Sequence, residues 1–525
     1  MSSALPEDPL PRVVRPRALL FVLPAAGRRW SAGLRAAAAV ALPGALLALT
    51  GHADVALFVT FGAFAVLYGE GRPYRVRARV VLTAGLLLLL AAALGTAVGR
   101  TIPSSVAVIV VVTAVAMIAV YVVDSLRLGP PGALFFALVC GGAMVATEAG
   151  AHPAALLACT AAGAVSSAVV SMAGFLADRT KPERTAVERA VRAVDTFATA
   201  DNPSAETRHA AGAAISAAWN AVHDAGRRPA LTNTLITAHR RFADATGTPP
   251  ALDETAPRAA LPLPRPGVRY RLRRAATLRS HSTVTALRVG GTCAVAGSLS
   301  AALGLGRPHW AVLTALVVLQ QGTDRVHANV RGLQRFAGTA VGLGLFAVLV
   351  QLGSSGLVVV AIVAVLQFCI ELFVARNYAV AVVFITPVAL LAGGAAVAGP
   401  VIRDRLVETV LGVALAVLSQ YLVAPNAHRT TFRWTESRVR EAALTLLRDP
   451  VMPLRRDLQF ELEGTTRAAI DSAHNDLGWL RPRWPAHAAL VHHGYDLLAA
   501  CWAPPPLDVD AWTRVFQSPA QTRQN

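Results

Sequence analysis

Apolar residues are concentrated in twelve runs, separated by short polar turns or by longer polar segments. A helix that crosses the hydrocarbon core of a bilayer needs about 20 mainly apolar residues, because the core is about 30 Å thick and each helical residue rises about 1.5 Å. All twelve runs meet or approach that length: 34–49, 55–68, 80–98, 106–123, 133–147, 154–176, 283–303, 310–320, 336–352, 357–373, 378–398 and 406–423. The pattern predicts an all-α membrane protein with about twelve transmembrane helices.

The second and eighth runs are shorter than the bilayer is thick, so we expect tilted, interrupted or half-inserted helices there. Two Gly-x-x-x-Gly pairs, Gly95/Gly99 and Gly338/Gly342, lie inside the third and ninth runs. Small residues at this spacing allow helix backbones to approach closely in lipid. Close helix contacts are therefore predicted at both pairs.

The two groups of six runs correspond to each other at an offset of about 253 residues. This offset matches four pairs of residues at similar places within their runs: Arg35 with Arg288, Gly44 with Gly297, Thr60 with Thr314, and Arg77 with Arg331. An even number of helices per group restores the starting orientation, as in transporters built from parallel repeats. The chain is therefore predicted to contain two six-helix parallel repeats.

Arginine placement predicts the orientation, because short loops rich in positive charge stay in the cytoplasm. One set of alternate loops carries most of the arginines, and the other set carries few. Both termini and the central region are therefore predicted to be cytoplasmic, in a multi-pass protein of the cytoplasmic (inner) membrane. The predicted domains are a cytoplasmic N-terminal segment (1–33), a first bundle (34–176), a cytoplasmic helical domain and linker (177–280), a second bundle (281–424), and a cytoplasmic C-terminal helical region (425–525). The linker itself is placed at 246–267, and a disordered end is expected after residue 519.

Composition agrees with this reading, since 15% of residues are charged against roughly a quarter in soluble proteins. Nearly all of the positive charge behind the net +18 is arginine, and the arginines before the first run and in the loop at 72–79 flank apolar runs, so the lipid bilayer is the predicted partner and nucleic acid is not. The five cysteines show no paired spacing for a metal or a disulfide framework. No phosphate loop, metalloprotease helix or nucleophile elbow is present, so we predict no enzyme activity, no cofactor and no metal.

Four segments of the second half carry a family likeness: RPHWAVLTALVVLQ at 307–320, RGLQRFAGTAVG at 331–342, NYAVAVVFITP at 377–387 and RLVETVLG at 405–412. Together they resemble the fusaric acid resistance (FUSC) family, which includes aromatic acid exporters. The resemblance extends over 288–423 and is fainter in the first half, at FGAF (61–64) and the arginine-rich 74–79. It implies efflux of small, often aromatic, carboxylate-bearing compounds across the inner membrane.

The substrate-binding candidates combine positive charge, stacking surface and hydrogen bonding. Arg77 and Arg331 occupy matched inner ends of the third and ninth runs, and a guanidinium fork suits a carboxylate. The alternative for both is ordinary cytoplasmic anchoring. The short eighth run supplies the remaining candidates, His309, Trp310, Thr314 and Gln320, with Gln321 beside them. Trp310 is also explained as an interface anchor.

Three carboxylates are candidates for proton coupling, because an ionisable residue inside the hydrocarbon needs a partner or a cavity. Glu371 lies near the inner end of the tenth run, where an interfacial ion pair with an arginine is the alternative. Asp404 and Glu408 are four residues apart at the outer start of the twelfth run, where a solvated helix start is the alternative.

The leading hypothesis is a secondary transporter that exports small carboxylate-bearing compounds between its two halves. The alternative is a non-transporting membrane scaffold or assembly factor that binds partners through its cytoplasmic helical domains. A homo-oligomer is compatible with both hypotheses.

Overall fold

The computed structural model describes residues 10–11, 16–21, 29–201, 204–226, 228–245, 266–320, 322–351, 356–392, 399–501 and 507–517. These residues are helical or form turns, and no strand occurs among them. Residues 246–265 of the predicted linker, Gln321 and the end after residue 517 lie outside the described residues.

The first six apolar runs all lie in helices. The second run is interrupted, with a short α-helix between the 3₁₀ helices Ala56–Phe58 and Phe64–Gly69. A short helix, α1 (Pro16–Phe21), precedes the group, which comprises α2 (Trp30–Leu49), α3 (Val59–Ala63), α4 (Tyr74–Thr101), α5 (Ser105–Ser125), α6 (Leu134–Glu148), α7 (Pro153–Met172) and α8 (Gly174–Ala177).

The second six runs also lie in helices, and four more helices separate the two groups. The separating helices are α9 (Lys181–Ala198), α10 (Ala205–Ala225), α11 (Pro229–Ala245) and α12 (Val268–Ala275). The second group is α13 (His281–Ala302), α14 (His309–Leu319), α15 (Arg325–Gln351), α16 (Leu357–Phe373), α17 (Tyr378–Ala392) and α18 (Gly399–Leu422). The C-terminal region comprises α19 (Ala427–Arg448), α20 (Met452–Leu480), the 3₁₀ helix Arg481–Arg483, α21 (Trp484–Ala500) and α22 (Val509–Gln517).

Within the described ranges, five helices are long and apolar enough to cross a membrane: Trp30–Leu49, Tyr74–Thr101, Ser105–Ser125, Pro153–Ala177 and Arg325–Gln351. A sixth candidate is the pair Val401–Leu422 and Ala427–Arg448, which meet at a bend of 59°. Five shorter apolar segments accompany them: Ala56–Gly69, Leu134–Glu148, His309–Leu319, Leu357–Phe373 and Tyr378–Ala392. The helical membrane class is thus confirmed, and the count of twelve spans stays a prediction.

Large apolar side chains on the long helices point away from the protein. On α2, Leu34, Leu46 and Leu49 are each more than 60% exposed, and Val106 on α5 is 69% exposed. In water, each such side chain would forgo about 1.5–3 kcal/mol of burial free energy. A lipid environment removes that penalty, so we assign these faces to the bilayer.

Helices of the two groups pack in corresponding pairs. α4 packs along α6, and α15 packs along α17. α3 crosses α7, and α14 crosses α18. The third and fifth members of each group are therefore neighbours, as are the second and sixth.

The first helix of each group packs along the fourth helix of the other group, α2 on α16 and α13 on α5. A Cβ atom on Gly44 of α2 would lie 2.9 Å from the Val360 side chain of α16. A Cβ atom on Gly297 of α13 would lie 2.9 Å from the Ile109 side chain of α5. Each half therefore donates one helix to the other, through the glycines that the sequence offset pairs.

The Gly-x-x-x-Gly pairs lie where helix backbones come closest. A Cβ atom on Gly99 of α4 would lie 2.6 Å from the Met144 carbonyl oxygen of α6, and one on Gly342 of α15 would lie 2.8 Å from the Val383 carbonyl oxygen of α17. At Gly95 and Gly338, Cβ atoms would overlap backbone oxygens outright. The predicted close contacts are confirmed.

Outside the apolar helices, three further hydrophobic clusters form. One lies within α9, α10 and α11, a second within α19 to α22, and a third, around Phe432 and Trp484, within α19 to α21. Glu461 of α20 is fully buried and ion-paired to Arg274 of α12 and Arg438 of α19, and it accepts a hydrogen bond from the Tyr270 hydroxyl at 3.1 Å. This network joins the C-terminal helices to the short helix that leads into α13.

Candidate functional site

Helix α14 is surrounded by protein on every side. All of its residues, His309–Leu319, are buried. It packs against α13, α15 and α18 of its own group and contacts α5 and α6 of the first group. A helix that is apolar all round belongs in a core. Polar groups on α14 therefore reach a solute only through an internal cavity.

A narrow cleft with a cavity volume of about 20 Å³ lies beside the N-terminal end of α14. The first group contributes aromatic and small residues from the second and fifth runs, and the second group contributes residues from α14 and α17. Its lining includes Phe61, Phe64, Leu138, Gly142, Arg307, His309, Trp310 and Val388. The cleft thus lies between the two groups, and corresponding elements of each group line it.

His309 and Trp310 form an aromatic pair at this cleft. Their ring centroids are 4.8 Å apart, and both side chains are buried. His309 Nδ1 has no hydrogen-bond partner among the described residues. A buried polar atom without a partner costs about 1–3 kcal/mol, which a hydrogen-bonding solute would offset.

Arg405 of α18 covers the ring of Trp310. Its guanidinium carbon is 3.7 Å from the ring centroid, the residue is 2% exposed, and its Nε and Nη1 have no partners among the described residues. α18 can approach α14 this closely because residue 412 is glycine, where a Cβ atom would lie 2.7 Å from the Ala311 carbonyl oxygen. The guanidinium group of Arg405 is thereby held on the face of the Trp310 ring, and its Nε and Nη1 donors remain available for a hydrogen bond.

Two arginines of α15 surround Tyr378 of α17 in the same way. The guanidinium carbon of Arg331 is 3.5 Å from the ring centroid, and Arg335 Nη1 donates to the hydroxyl at 3.5 Å. The Nε atoms of both arginines lack partners among the described residues. Arg405 lies close enough to Arg335 for their positive charges to repel each other. We call Arg331, Arg335 and Arg405 the arginine cluster.

One buried carboxylate lies near the arginine cluster. Glu408 is fully buried; its Oε1 accepts a hydrogen bond from the Ser300 hydroxyl at 3.2 Å, and its Oε2 has no described partner. In the described chain, no salt bridge within 4.0 Å joins Glu408 to Arg405. Three guanidinium groups against one carboxylate leave an excess of positive charge. Each buried charge costs about 2.5–3.5 kcal/mol on insertion scales, so an anion at this place would be stabilised.

Arg77, the predicted counterpart of Arg331, has a different environment. It is buried, and it donates to the carbonyl oxygens of Arg72 at 2.9 Å and Ser171 at 3.2 Å. Its guanidinium carbon lies 4.3 Å from the Tyr74 ring centroid. These contacts tie the start of α4 to the end of α7 and leave Arg77 outside the arginine cluster.

The other predicted residues divide between the cleft and its surroundings. Thr314 is buried against α18, and its hydroxyl has no described partner. Gln320 accepts from the Ala133 backbone at 3.2 Å and so joins the two groups at the other end of α14. Asp404 accepts from the Gly306 backbone at 3.3 Å and pairs with Arg403.

Glu371 is held at the edge of the bundle by an arginine. Arg29 contacts its carboxylate at 3.1 Å, donates to its carbonyl oxygen at 2.9 Å, and also pairs with Glu70 at 2.8 Å. This is the interfacial ion pair that the sequence offered as the alternative to proton coupling, with Arg29 as the partner.

Sequence reasoning missed Arg335 and Arg405 as site residues, because both were counted as loop charges. Their spacings held a signal: Arg335 follows Arg331 by four residues and Arg405 precedes Glu408 by three, so each pair shares a helix face. Among the described residues, one group offers three metal-ligand side chains, namely Asp324, His327 and His474.

Comparison with known proteins supports the assignment to membrane proteins. Residues 293–419 match the family described as fusaric acid resistance protein-like, which confirms the resemblance seen in the sequence. The chain is also similar to the uncharacterized membrane protein YvaC of Bacillus subtilis (strain 168), with 25% identity over 90% of this chain and 85% of that protein. No solved structure matches the chain. The family match covers α14 to α17 and most of α18, and so includes the whole arginine cluster.

Proposed function

We propose that this chain is a secondary transporter that exports small carboxylate-bearing compounds, aromatic ones in particular, across the cytoplasmic membrane. The observation that carries the proposal is the arginine cluster, whose unpaired guanidinium donors lie on the faces of Trp310 and Tyr378. The family likeness supports the same class of activity.

The arginine cluster has the chemistry of a carboxylate site. A guanidinium group donates two parallel hydrogen bonds to one carboxylate, and hydrogen bonds to charged groups contribute about 1.5–3 kcal/mol each. The aromatic rings of His309 and Trp310 offer stacking surface for a flat solute. A compound with an aromatic ring and one carboxylate would use both features at once.

The proposed route to this site starts at the cleft, whose lining includes Trp310, the ring that Arg405 covers. Its cavity volume of about 20 Å³ holds little more than one water molecule, so passage of a solute requires the helices of the two groups to move apart. Its lining comes from corresponding elements of both groups, and the paired packing of α4 with α6 and α15 with α17 supports the proposed two-fold repeat. In the proposed orientation, with twelve spans and both termini in the cytoplasm, the cleft opens toward the outer side.

The membrane potential supplies the driving force for an anion that leaves the cell. Each 100 mV contributes about 2.3 kcal/mol per charge, equivalent to a gradient of roughly fifty-fold. Proton coupling is not needed for such export. If protons are coupled, Glu408 is the best placed of the three candidate carboxylates, because it is buried one helical turn from Arg405 while Asp404 and Glu371 have other partners.

The test compares solutes that differ in charge alone. Liposomes that contain the purified full-length protein are preloaded with radiolabelled benzoate or with neutral benzamide. Efflux of the label is followed with and without a membrane potential set by potassium and valinomycin. We expect potential-dependent benzoate efflux above that of protein-free liposomes and no such increase for benzamide.

Equal behaviour of the two solutes, or no efflux above the protein-free control across a panel of aromatic acids, would contradict the proposal. The second outcome would favour the scaffold hypothesis, in which the hydrophobic clusters of α9–α11 and α19–α22 support partner-binding domains. Pull-down with the full-length chain would then identify the partner.

A further inference from the structure

A second polar cluster lies outside the arginine cluster, where α15 begins. Asp324 directly precedes α15, His327 lies in its first turn, and His474 comes from α20. His327 Nδ1 and His474 Nδ1 each lie 2.6 Å from the same oxygen, Asp324 Oδ2. Two imidazoles and a carboxylate thus converge on one point. We call these three residues the Asp324 site.

The backbone around the Asp324 site is fixed by an amide on the opposite helix. Asn475 accepts a hydrogen bond from the Arg325 backbone at 3.2 Å and donates to the Thr323 carbonyl oxygen at 3.0 Å. The second carboxylate oxygen, Asp324 Oδ1, accepts from the His327 backbone at 3.1 Å. The contacts made by Asn475 and by the His327 backbone therefore orient Asp324, and its Oδ2 atom faces the two imidazole rings.

The ligand types and their separations fit a transition metal. The three ligand atoms lie within 4.8 Å of one another. Zn²⁺ binds imidazole nitrogen at about 2.0–2.1 Å and carboxylate oxygen at about 2.0–2.2 Å, and sites with three protein ligands keep a fourth position for water. Tetrahedral geometry at these lengths separates ligand atoms by about 3.3 Å. A small outward shift of both rings from their present 2.6 Å contacts would make room for the ion.

Burial also favours a metal site at these three residues. The side chains of Asp324 and His474 are 7% and 5% exposed, whereas that of His327 is 39% exposed and so leaves a path for an ion. Asp324 supplies the ligand carboxylate, while the nearby charge of Asp471 on α20 interacts most strongly with Arg467.

We propose that Asp324, His327 and His474 bind a divalent transition-metal ion, with Zn²⁺ the best match to two imidazoles and a carboxylate. Each histidine binds through the Nδ1 lone pair of a neutral ring, so a proton on Nδ1 moves to Nε2, or is released to solvent where the ring was an imidazolium. The ion then joins the start of α15 to α20 of the C-terminal region, which the sequence places in the cytoplasm. The inference is independent of the proposed transport activity.

The test is metal binding to the full-length protein in detergent, purified without a histidine tag and stripped with EDTA. Zn²⁺ affinity is measured by competition with a chromophoric chelator, and Co²⁺ is added separately to record the visible absorption of tetrahedral coordination. We expect about one Zn²⁺ per chain. His474→Gln should weaken binding more than about tenfold, since loss of even an outer-shell partner costs 10–100-fold. His223→Gln, which changes a half-exposed histidine of α10, is the matched control and should bind as the wild type does.

A wild-type protein that binds no Zn²⁺, or a His474→Gln variant that binds it as tightly as the wild type, would overturn the proposal. Either result would leave Asp324 as a helix cap that accepts hydrogen bonds from two histidines. If His474→Gln does not fold, His327→Gln decides, because its more exposed side chain can be changed with less effect on packing. A Zn²⁺-dependent rise in Tm that the wild type shows and His327→Gln lacks would support the site, and its presence in both would refute it.

Discussion

Replacement of Arg405 by Gln separates a binding role from a structural one. The guanidinium group is 2% exposed and lies 3.7 Å from the centroid of Trp310. A desolvated cation–π contact contributes about 2 kcal/mol to folding, whereas burial of the charge costs about 2.5–3.5 kcal/mol. These contributions nearly cancel. We therefore expect the free energy of unfolding of Arg405→Gln to be equal to that of the wild type or slightly higher.

The effect on transport should be much larger. If Arg405 donates a charge-assisted hydrogen bond to the substrate carboxylate, its loss removes about 1.5–3 kcal/mol of binding free energy. This corresponds to a rise in KM for benzoate of roughly ten- to 150-fold. Arg405→Lys keeps the charge but lacks the planar pair of donors, so its KM should lie between those of the wild type and Arg405→Gln.

The assays are thermal unfolding in detergent and benzoate efflux from liposomes over a range of concentrations. Arg403→Gln is the matched control, because the Arg403 side chain is 75% exposed and pairs with neighbouring Asp404. It should change neither Tm nor KM. A fall in stability of more than about 2 kcal/mol for Arg405→Gln, with KM unchanged, would show that Arg405 holds helices together and would refute the binding role.

Three further substitutions test the packing and the ion pairs. Gly338→Ala should lower Tm, because its Cβ would overlap a backbone oxygen of α17, whereas Gly344→Ala on the same helix meets nothing within 4 Å and should not; equal Tm values would contradict this. Glu461→Gln should destabilise the protein by about 3–5 kcal/mol, since the fully buried carboxylate pairs with two partly buried arginines that would lose their partner. Burial opposes ionisation of Glu461, but its arginine partners outweigh burial and lower its pKa from the ordinary value of 4.5. The stabilisation by these ion pairs is therefore present above pH 4.5 and is lost as the pH falls below it. Lowering the pH from 6 to 3 should therefore reduce the free energy of unfolding more in the wild type than in Glu461→Gln. Parallel pH curves for the two proteins would refute the assignment. Glu371→Gln should cost no more than about 1 kcal/mol and leave the pH dependence of efflux unchanged, because Arg29 keeps its pair with the exposed Glu70; a shifted pH profile would instead identify Glu371 as the proton-coupling group.

The sequence predicted the helical content well because a lipid environment leaves the backbone few other choices. Unpaired backbone groups are too costly in hydrocarbon, so long apolar runs must be helical. The interruption of the second run also has a physical cause. α3 and α7 cross at Gly62 and Gly163, where Cβ atoms would overlap the opposite backbone.

The candidate site was predicted in part. The sequence identified His309 and Trp310, which line the cleft, because polar residues on a short span are conspicuous. Arg335 and Arg405 were missed because counting arginines per loop ignores the direction of each side chain along the helix. The Asp324 site was not foreseeable, because His474 lies 150 residues from Asp324 along the chain.

The exchange of helices between the two halves affects how the protein is made. α2 is made well before its main packing partner, α16, which begins at Leu357. At about 5–20 residues per second, the ribosome needs roughly 15 to 60 s to add the intervening 300 or so residues. Throughout that interval, the face of α2 around Gly44 lacks the helix that packs against it in the finished protein. We expect the nascent first half to depend on lipid, or on an insertion chaperone, to shield that face of α2 until α16 has been made.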